Sequence, residues 1–109
     1  MAKAILVSHR YIGANDELGA KLYLNFWRTM AETTHRPTVV AFVHDAVNSL
    51  LPDSPVLEPL QLLARDGVEL IACRTCCDYY GIAGKLAAGV IVGMGDIENR
   101  LFGNDVITI

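Results

Sequence analysis

Five short apolar runs set the terms on which this chain can fold. Residues 4–7, 38–43, 68–73, 90–92 and 106–109 are made mostly of Ala, Val, Ile, Leu, Phe and Cys. The runs are nearly continuous instead of alternating with polar residues, which is the pattern of strands buried on both faces, as in a parallel sheet. Helical spacing lies between them. Over residues 16–33, Leu18, Leu22, Phe26 and Met30 recur at every fourth position, with Tyr23 and Trp27 beside them and Asn15 or Asp16 as an N-cap. A second helix is expected over 54–65, with Leu57, Leu60, Leu63 and Ala64 facing inward and a stop at Gly67; at Pro59 either the helix starts nearby or its first turn is irregular. A third runs over 94–102 and ends at Gly103-Asn104. Strand and helix alternate, so the expected architecture is an α/β layered domain with a mostly parallel sheet and right-handed crossovers.

Length and composition narrow this further. The 109 residues are 52% hydrophobic and 19% charged, the balance of a single globular domain over 1–109 and not of a disordered chain. The formal charge is -3 and no basic run appears, which argues against an electrostatic grip on nucleic acid or an anionic membrane. The apolar start, Met1 to Ser8, is too short for a signal peptide and is followed by His9 and Arg10, and no run is long enough to span a bilayer. The expected compartment is therefore the cytoplasm, where thiols stay reduced and a close cysteine group is more often catalytic or metal-binding than a structural disulfide.

All three cysteines fall in one run, Cys73-Arg74-Thr75-Cys76-Cys77, directly after the third apolar segment. Clustered at a strand end and followed by Asp78-Tyr79-Tyr80-Gly81, they read as thiols presented for sulfur chemistry. In open α/β sheets, ligands bind outside the carboxyl ends of the strands. Those ends carry Ser8-His9-Arg10-Tyr11, His44-Asp45 and the cysteine run, so two histidines, an arginine and the thiols are expected along one edge. If the chain turns helical after Cys73, the helix start and Arg74 favour a thiolate there, while Asp78 opposes it.

Blander readings stand beside this one. Cys73 at the end of a buried strand is also what a core cysteine looks like, and Cys77, adjacent to Cys76, reads as core. His9 and His44 read more readily as polar loop residues than as catalytic ones, and Trp27, Tyr23 and Phe26 as core on a helix face. Cys73 and Cys76 have the Cys-x-x-Cys spacing of a redox dithiol or of half a zinc site. No second ligand pair exists, so neither a metal nor a cofactor is expected. Gly93-Met94-Gly95 lacks a phosphate-loop context and reads as a turn.

These segments resemble the DsrE-like superfamily of small sulfur-relay proteins. The nearest likeness is to the DsrE-like domain of the YedF-type sulfurtransferase-like selenium-metabolism proteins. The resemblance covers nearly the whole chain. It rests on Asn15-Asp16-Glu17-Leu18-Gly19, on Gly67-Val68-Glu69, on the stretch from Cys73 to Gly81, and on Met94-Gly95-Asp96-Ile97 together with Val106-Ile107-Thr108-Ile109. It implies a three-layer α/β/α sandwich with a parallel five-stranded sheet. It also implies that Cys73 accepts sulfur as a persulfide from a donor protein and hands it to an acceptor protein, and that the chain assembles as a trimer or hexamer. Cys76 matches the second cysteine of the selenium-associated group. Cys77 departs from that group and inherits no role. Those proteins also carry an N-terminal sulfur-carrier-like domain that these residues lack, so no selenium role is carried over.

The expected function is thus a sulfur relay or sulfurtransferase-like activity. Cys73 is the carrier, Cys76 resolves or assists, and Arg74, His9, Arg10 and His44 are candidate thiolate-stabilising or binding residues. Two alternatives remain open: a thiol redox protein using Cys73 and Cys76 as a couple, and a non-enzymatic oligomeric binding module with inert cysteines. Whether the chain is an enzyme at all is left open, because a carrier loaded and unloaded by others needs no rate enhancement of its own.

Overall fold

The computed structural model describes residues 2–109. Its five strands are β1 (Lys3–Val7), β2 (Val39–Phe42), β3 (Glu69–Cys73), β4 (Val90–Val92) and β5 (Asp105–Thr108). They form one sheet in the order β4-β3-β2-β1-β5. Every pairing is parallel. The helices are α1 (Glu17–Glu32), α2 (Leu57–Arg65), α3 (Arg74–Tyr79) and α4 (Met94–Phe102), and a 3-10 helix covers His44–Leu50.

Side-chain alternation along the strands sorts the core into two layers. Ile5, Val7, Val40, Phe42, Leu70 and Ala72 face Tyr23 and Trp27 of α1 and Leu60 and Leu63 of α2. Their strand neighbours Ala4, Val39, Ala41, Ile71 and Cys73 face Ile97 of α4. The topology accounts for this division. From β1 to β4 the chain steps across the sheet in one direction, whereas α4 carries it back past β1 to β5. With a constant crossover hand, reversing direction moves the helix to the opposite face. The result is an α/β/α sandwich whose second outer layer is α4.

Two of the expected helix faces turn differently. The buried residues of α1 are Gly19, Tyr23 and Trp27, while Leu18 and Leu22 are 64% and 40% exposed. The core row of α1 is therefore offset by one position from the period-four row of Leu18, Leu22, Phe26 and Met30. Close approach explains the offset. Asp16 caps the helix by accepting from the Gly19 N–H at 2.7 Å, and the Ile12 N–H donates to the Gly19 carbonyl at 3.1 Å. A methyl group on Gly19 would overlap the carbonyl oxygen of Ala14. In α2, Leu60 and Leu63 are buried and Leu57 is half-buried, but Ala64 is exposed. Pro59 is accepted because it occupies the first turn, where its missing N–H has no intrahelical partner to lose.

Candidate functional site

The third strand ends at Cys73, and its backbone is still extended there (φ -65°, ψ 124°), so the residue caps α3. Its side chain makes no capping hydrogen bond. In such a start the N-cap residue and the one three positions on face each other. Cys73 and Cys76 occupy those positions, and Cys76 packs against the cluster that contains Cys73. The next residue, Cys77, turns to the other layer of the core, among the α1 and α2 side chains.

The far end of α3 is fixed by a glycine. Gly81 has φ 67°, which lets the Gly81 N–H donate to the Asp78 carbonyl and the Ile82 N–H to the Cys77 carbonyl at 3.1 and 3.0 Å. This is a Schellman closure, and it also packs Ile82 into the cluster that holds Cys77. The Tyr-Tyr-Gly-Ile sequence therefore closes α3 behind Cys76 and Cys77.

The cysteines differ sharply in exposure. Cys73 is 2% exposed and Cys77 fully buried, while Cys76 is half-buried. The end of β3 thus presents one thiol, Cys76, and keeps Cys73 under cover. Burial pushes the Cys76 thiol above its ordinary range. The His44 N–H opposes this, and neighbouring Cys73 reinforces it as a hydrogen-bond and charge neighbour. Burial likewise raises Cys77, with the neighbouring sulfurs and Asp78 adding to the effect and Arg74 opposing it.

The expected meeting of strand ends occurs in part. His44 follows β2 and has φ 52°, a left-handed conformation uncommon for a residue with a side chain. It directs its backbone N–H at the Cys76 Sγ, 3.0 Å away. The imidazole itself is on the exposed side. Arg10, after β1, reaches the next residue: its Nε and Nη2 donate to the two carboxylate oxygens of Asp45, each at 3.0 Å. Asn48 donates to the Asp45 carbonyl at 3.0 Å. Arg10 and Asn48 thus hold the first turn of the 3-10 helix, and with it His44. His9 is exposed and stacks on Tyr11 with ring centroids 4.7 Å apart. Arg74 is exposed on the first turn of α3.

Two cavities lie along α1, one of them at this edge of the fold. One of about 570 Å³ is lined by Arg10, Tyr11, Asp45 and the hydrogen-bonded pair Tyr23 and Ser49, but not by the cysteines. A larger one of about 680 Å³ is apolar and runs between α1 and β5, with Leu22, Phe26, Met30 and Ile107 on its walls. Among the described residues, no three His, Cys, Asp or Glu side chains converge as metal ligands would, and no helix is long and apolar enough to cross a membrane.

Sequence reasoning missed Asp45 as the partner of Arg10 and missed the backbone role of His44. A salt-bridge partner 35 residues away leaves no local signal, and a left-handed non-glycine residue cannot be read from residue type.

The profile of the DsrE/DsrF-like family matches residues 1–109. No curated protein matches the chain. Among solved structures, the ychN protein from E. coli is similar at TM-score 0.74 and 18% identity, with both chains covered in full. MTH1491 from Methanobacterium thermoautotrophicum, a protein of unknown function, is similar at TM-score 0.69 and 26% identity, again over all of both chains. BT1422 from Bacteroides thetaiotaomicron, also of unknown function, has TM-score 0.65 and 15% identity, covering 98% of this chain and 94% of the other.

Proposed function

The chain belongs to the DsrE/DsrF-like family, and we propose that it is a sulfur-relay protein that holds sulfur as a persulfide on Cys73 and passes it to a partner. The family is generally associated with sulfur relay. The observation that carries the finer reading is the pairing of Cys73 and Cys76 at the carboxyl end of β3, one thiol covered and one half-exposed. A persulfide is easily lost to small thiols. A covered sulfur that can be reached through a neighbouring thiol suits storage followed by directed release. Thiol exchange depends on thiolate fraction, nucleophilicity and access, and the two cysteines divide these requirements between them.

The proposed partners are a sulfur-donor protein and a sulfur-acceptor protein, met in the cytoplasm, together with further copies of this chain in a trimer or hexamer. The apolar groove between α1 and β5 supports the assembly, since Leu22 and Ile107 at its walls are 40% and 42% exposed. Exposed apolar surface of this kind is characteristic of interfaces.

The closeness of the two thiols favours one second reading, a dithiol couple. Intact-protein mass spectrometry after brief exposure to inorganic polysulfide separates the two. The relay reading expects a gain of one sulfur atom that survives a short wash with a small thiol and is not retained by Cys73→Ser. A loss of two hydrogens, abolished by either Cys73→Ser or Cys76→Ser, places the redox couple ahead. No mass change overturns both.

A further inference from the structure

Within the relay reading, on which this step rests, we infer that Cys76 is the loading thiol: it takes sulfur from the donor at the surface and hands it inward to Cys73. Three features of the site support this order.

The first is access. A donor persulfide must bring its outer sulfur into line with the attacking thiolate. Cys73, at 2% exposure in the cluster with Ile71, Ile97 and the half-buried Val92, offers no approach for a protein-bound donor. Cys76 is the only one of the three cysteines that is not fully covered. The second is a built anion partner. The His44 N–H donates to the Cys76 Sγ at 3.0 Å, and the left-handed backbone that aims it is held by the Arg10–Asp45 and Asn48–Asp45 contacts. The Cys73 side chain, by contrast, makes no capping hydrogen bond to the helix it starts. The third is adjacency. Cys76 packs on the cluster containing Cys73, so its sulfur has an intramolecular neighbour to pass to.

The chemistry is sulfane transfer at both steps. The Cys76 thiol first gives its proton to water. Its thiolate attacks the outer sulfur of the donor R–S–SH, forming the Cys76–SSH bond and breaking the donor S–S bond, so that R–S⁻ leaves. The Cys73 thiolate then attacks the outer sulfur of Cys76–SSH, forming Cys73–SSH and releasing Cys76 as a thiolate, which takes up the proton that Cys73 gave up. One S–S bond forms and one breaks at each step. The sulfane sulfur keeps its oxidation level, and no external oxidant or reductant is used. Unloading is the same sequence in reverse, with the acceptor thiolate meeting Cys76. Burial leaves the Cys76 thiol mostly protonated at neutral pH, yet a less acidic thiol forms the more nucleophilic thiolate.

Time-resolved peptide mapping tests the order in the native protein. Inorganic polysulfide is the donor, and the reaction is quenched with an alkylating agent that captures persulfides. Trypsin cleaves after Arg74, so Cys73 and Cys76 leave on different peptides. Sulfur is expected on the Cys76 peptide first and on the Cys73 peptide later. Cys76→Ser is expected to load Cys73 more slowly by roughly ten-fold or more. Cys73→Ser should still take up sulfur on the Cys76 peptide but lose it quickly to a small thiol. If sulfur reaches the Cys73 peptide first, or Cys76→Ser loads at the native rate, the order is wrong while the relay reading stands. If the native protein takes up no sulfur, the relay reading itself falls.

Discussion

The backbone N–H of His44 meets the Sγ of Cys76 at 3.0 Å, from a residue held at φ 52°. The contact ties the end of β2 to the first turn of α3 through a main-chain atom, so it is independent of the imidazole. His44→Gly therefore keeps the donor and removes the steric cost of a side chain in the left-handed region. Stability should be unchanged or rise by about 1 kcal/mol, and Cys76 should alkylate at its native rate. Urea unfolding and timed iodoacetamide labelling check both. A large fall in labelling rate would return the role to the imidazole.

The Cys76 thiol itself should titrate late. Burial is the largest influence on it and raises its pKa, with the His44 N–H opposing. The midpoint of its alkylation rate against pH is expected above that of the same cysteine in the unfolded chain. A midpoint below that value would contradict the assignment of burial as the dominant cause.

Tyr23 gives the fold an alkaline weakness. Burial pushes its phenol up to about 12, partly offset by the hydrogen bond with Ser49. Above pH 10 the unfolded chain releases this proton while the folded chain keeps it, so the stability is full below about 10 and is lost as pH rises toward 12. The loss attributable to this group is roughly 2–3 kcal/mol. Tyr23→Phe should flatten stability over that window, at a cost of about 1–2 kcal/mol near neutrality for leaving the buried Ser49 without its partner. Denaturant titrations of both proteins from pH 8 to 12 distinguish this from general alkaline unfolding.

Gly19→Ala should destabilise the protein by roughly 1–3 kcal/mol, because the added methyl meets the Ala14 carbonyl. The loop that would have to move lies between Arg10 and α1, so labelling of Cys76 is a second readout. A neutral result in urea unfolding would mean that the loop relaxes without cost.

Ile107→Glu places a carboxylate on the wall of the apolar groove between α1 and β5. If copies of the chain associate through that groove, sedimentation should show the native protein as a trimer or hexamer and the variant as smaller species. An unchanged native trimer or hexamer in Ile107→Glu would move the interface elsewhere.

Most of the fold was legible because its strands are buried on both faces. Runs such as Val39-Val40-Ala41-Phe42 announce themselves by hydropathy alone. Helix ends were legible where chemistry marks them, as with Asp16 before α1 and the Gly67 N–H closing α2 onto the Ala64 carbonyl. The buried face of α1 was not, because the residue at closest approach is Gly19, which carries no apolar signal, while Leu18 beside it does. The 3-10 helix His44–Leu50 escaped because its seven residues, with Ala46, Val47 and Leu50 buried, are too few to establish a helical period. At the site, strand periodicity held a clue that composition hid: Ile71 and Cys73 are two residues apart and so share a buried face. The contact that singles out Cys76 is made by a main-chain atom and leaves no trace in residue type.

Placing Cys73 and Cys77 in opposite core layers has a consequence for oxidative damage. Three cysteines within five residues invite scrambled linkages. Here the sheet and α3 separate the two: Cys77 lies in the other core layer from Cys73, and a link to Cys76 would close a strained ring between adjacent helix residues. That leaves Cys73 to Cys76, the cap and third residue of α3, as the favoured internal linkage. Disulfide formation in the folded chain therefore has one favoured internal end point, and its reduction is approached through the half-exposed Cys76.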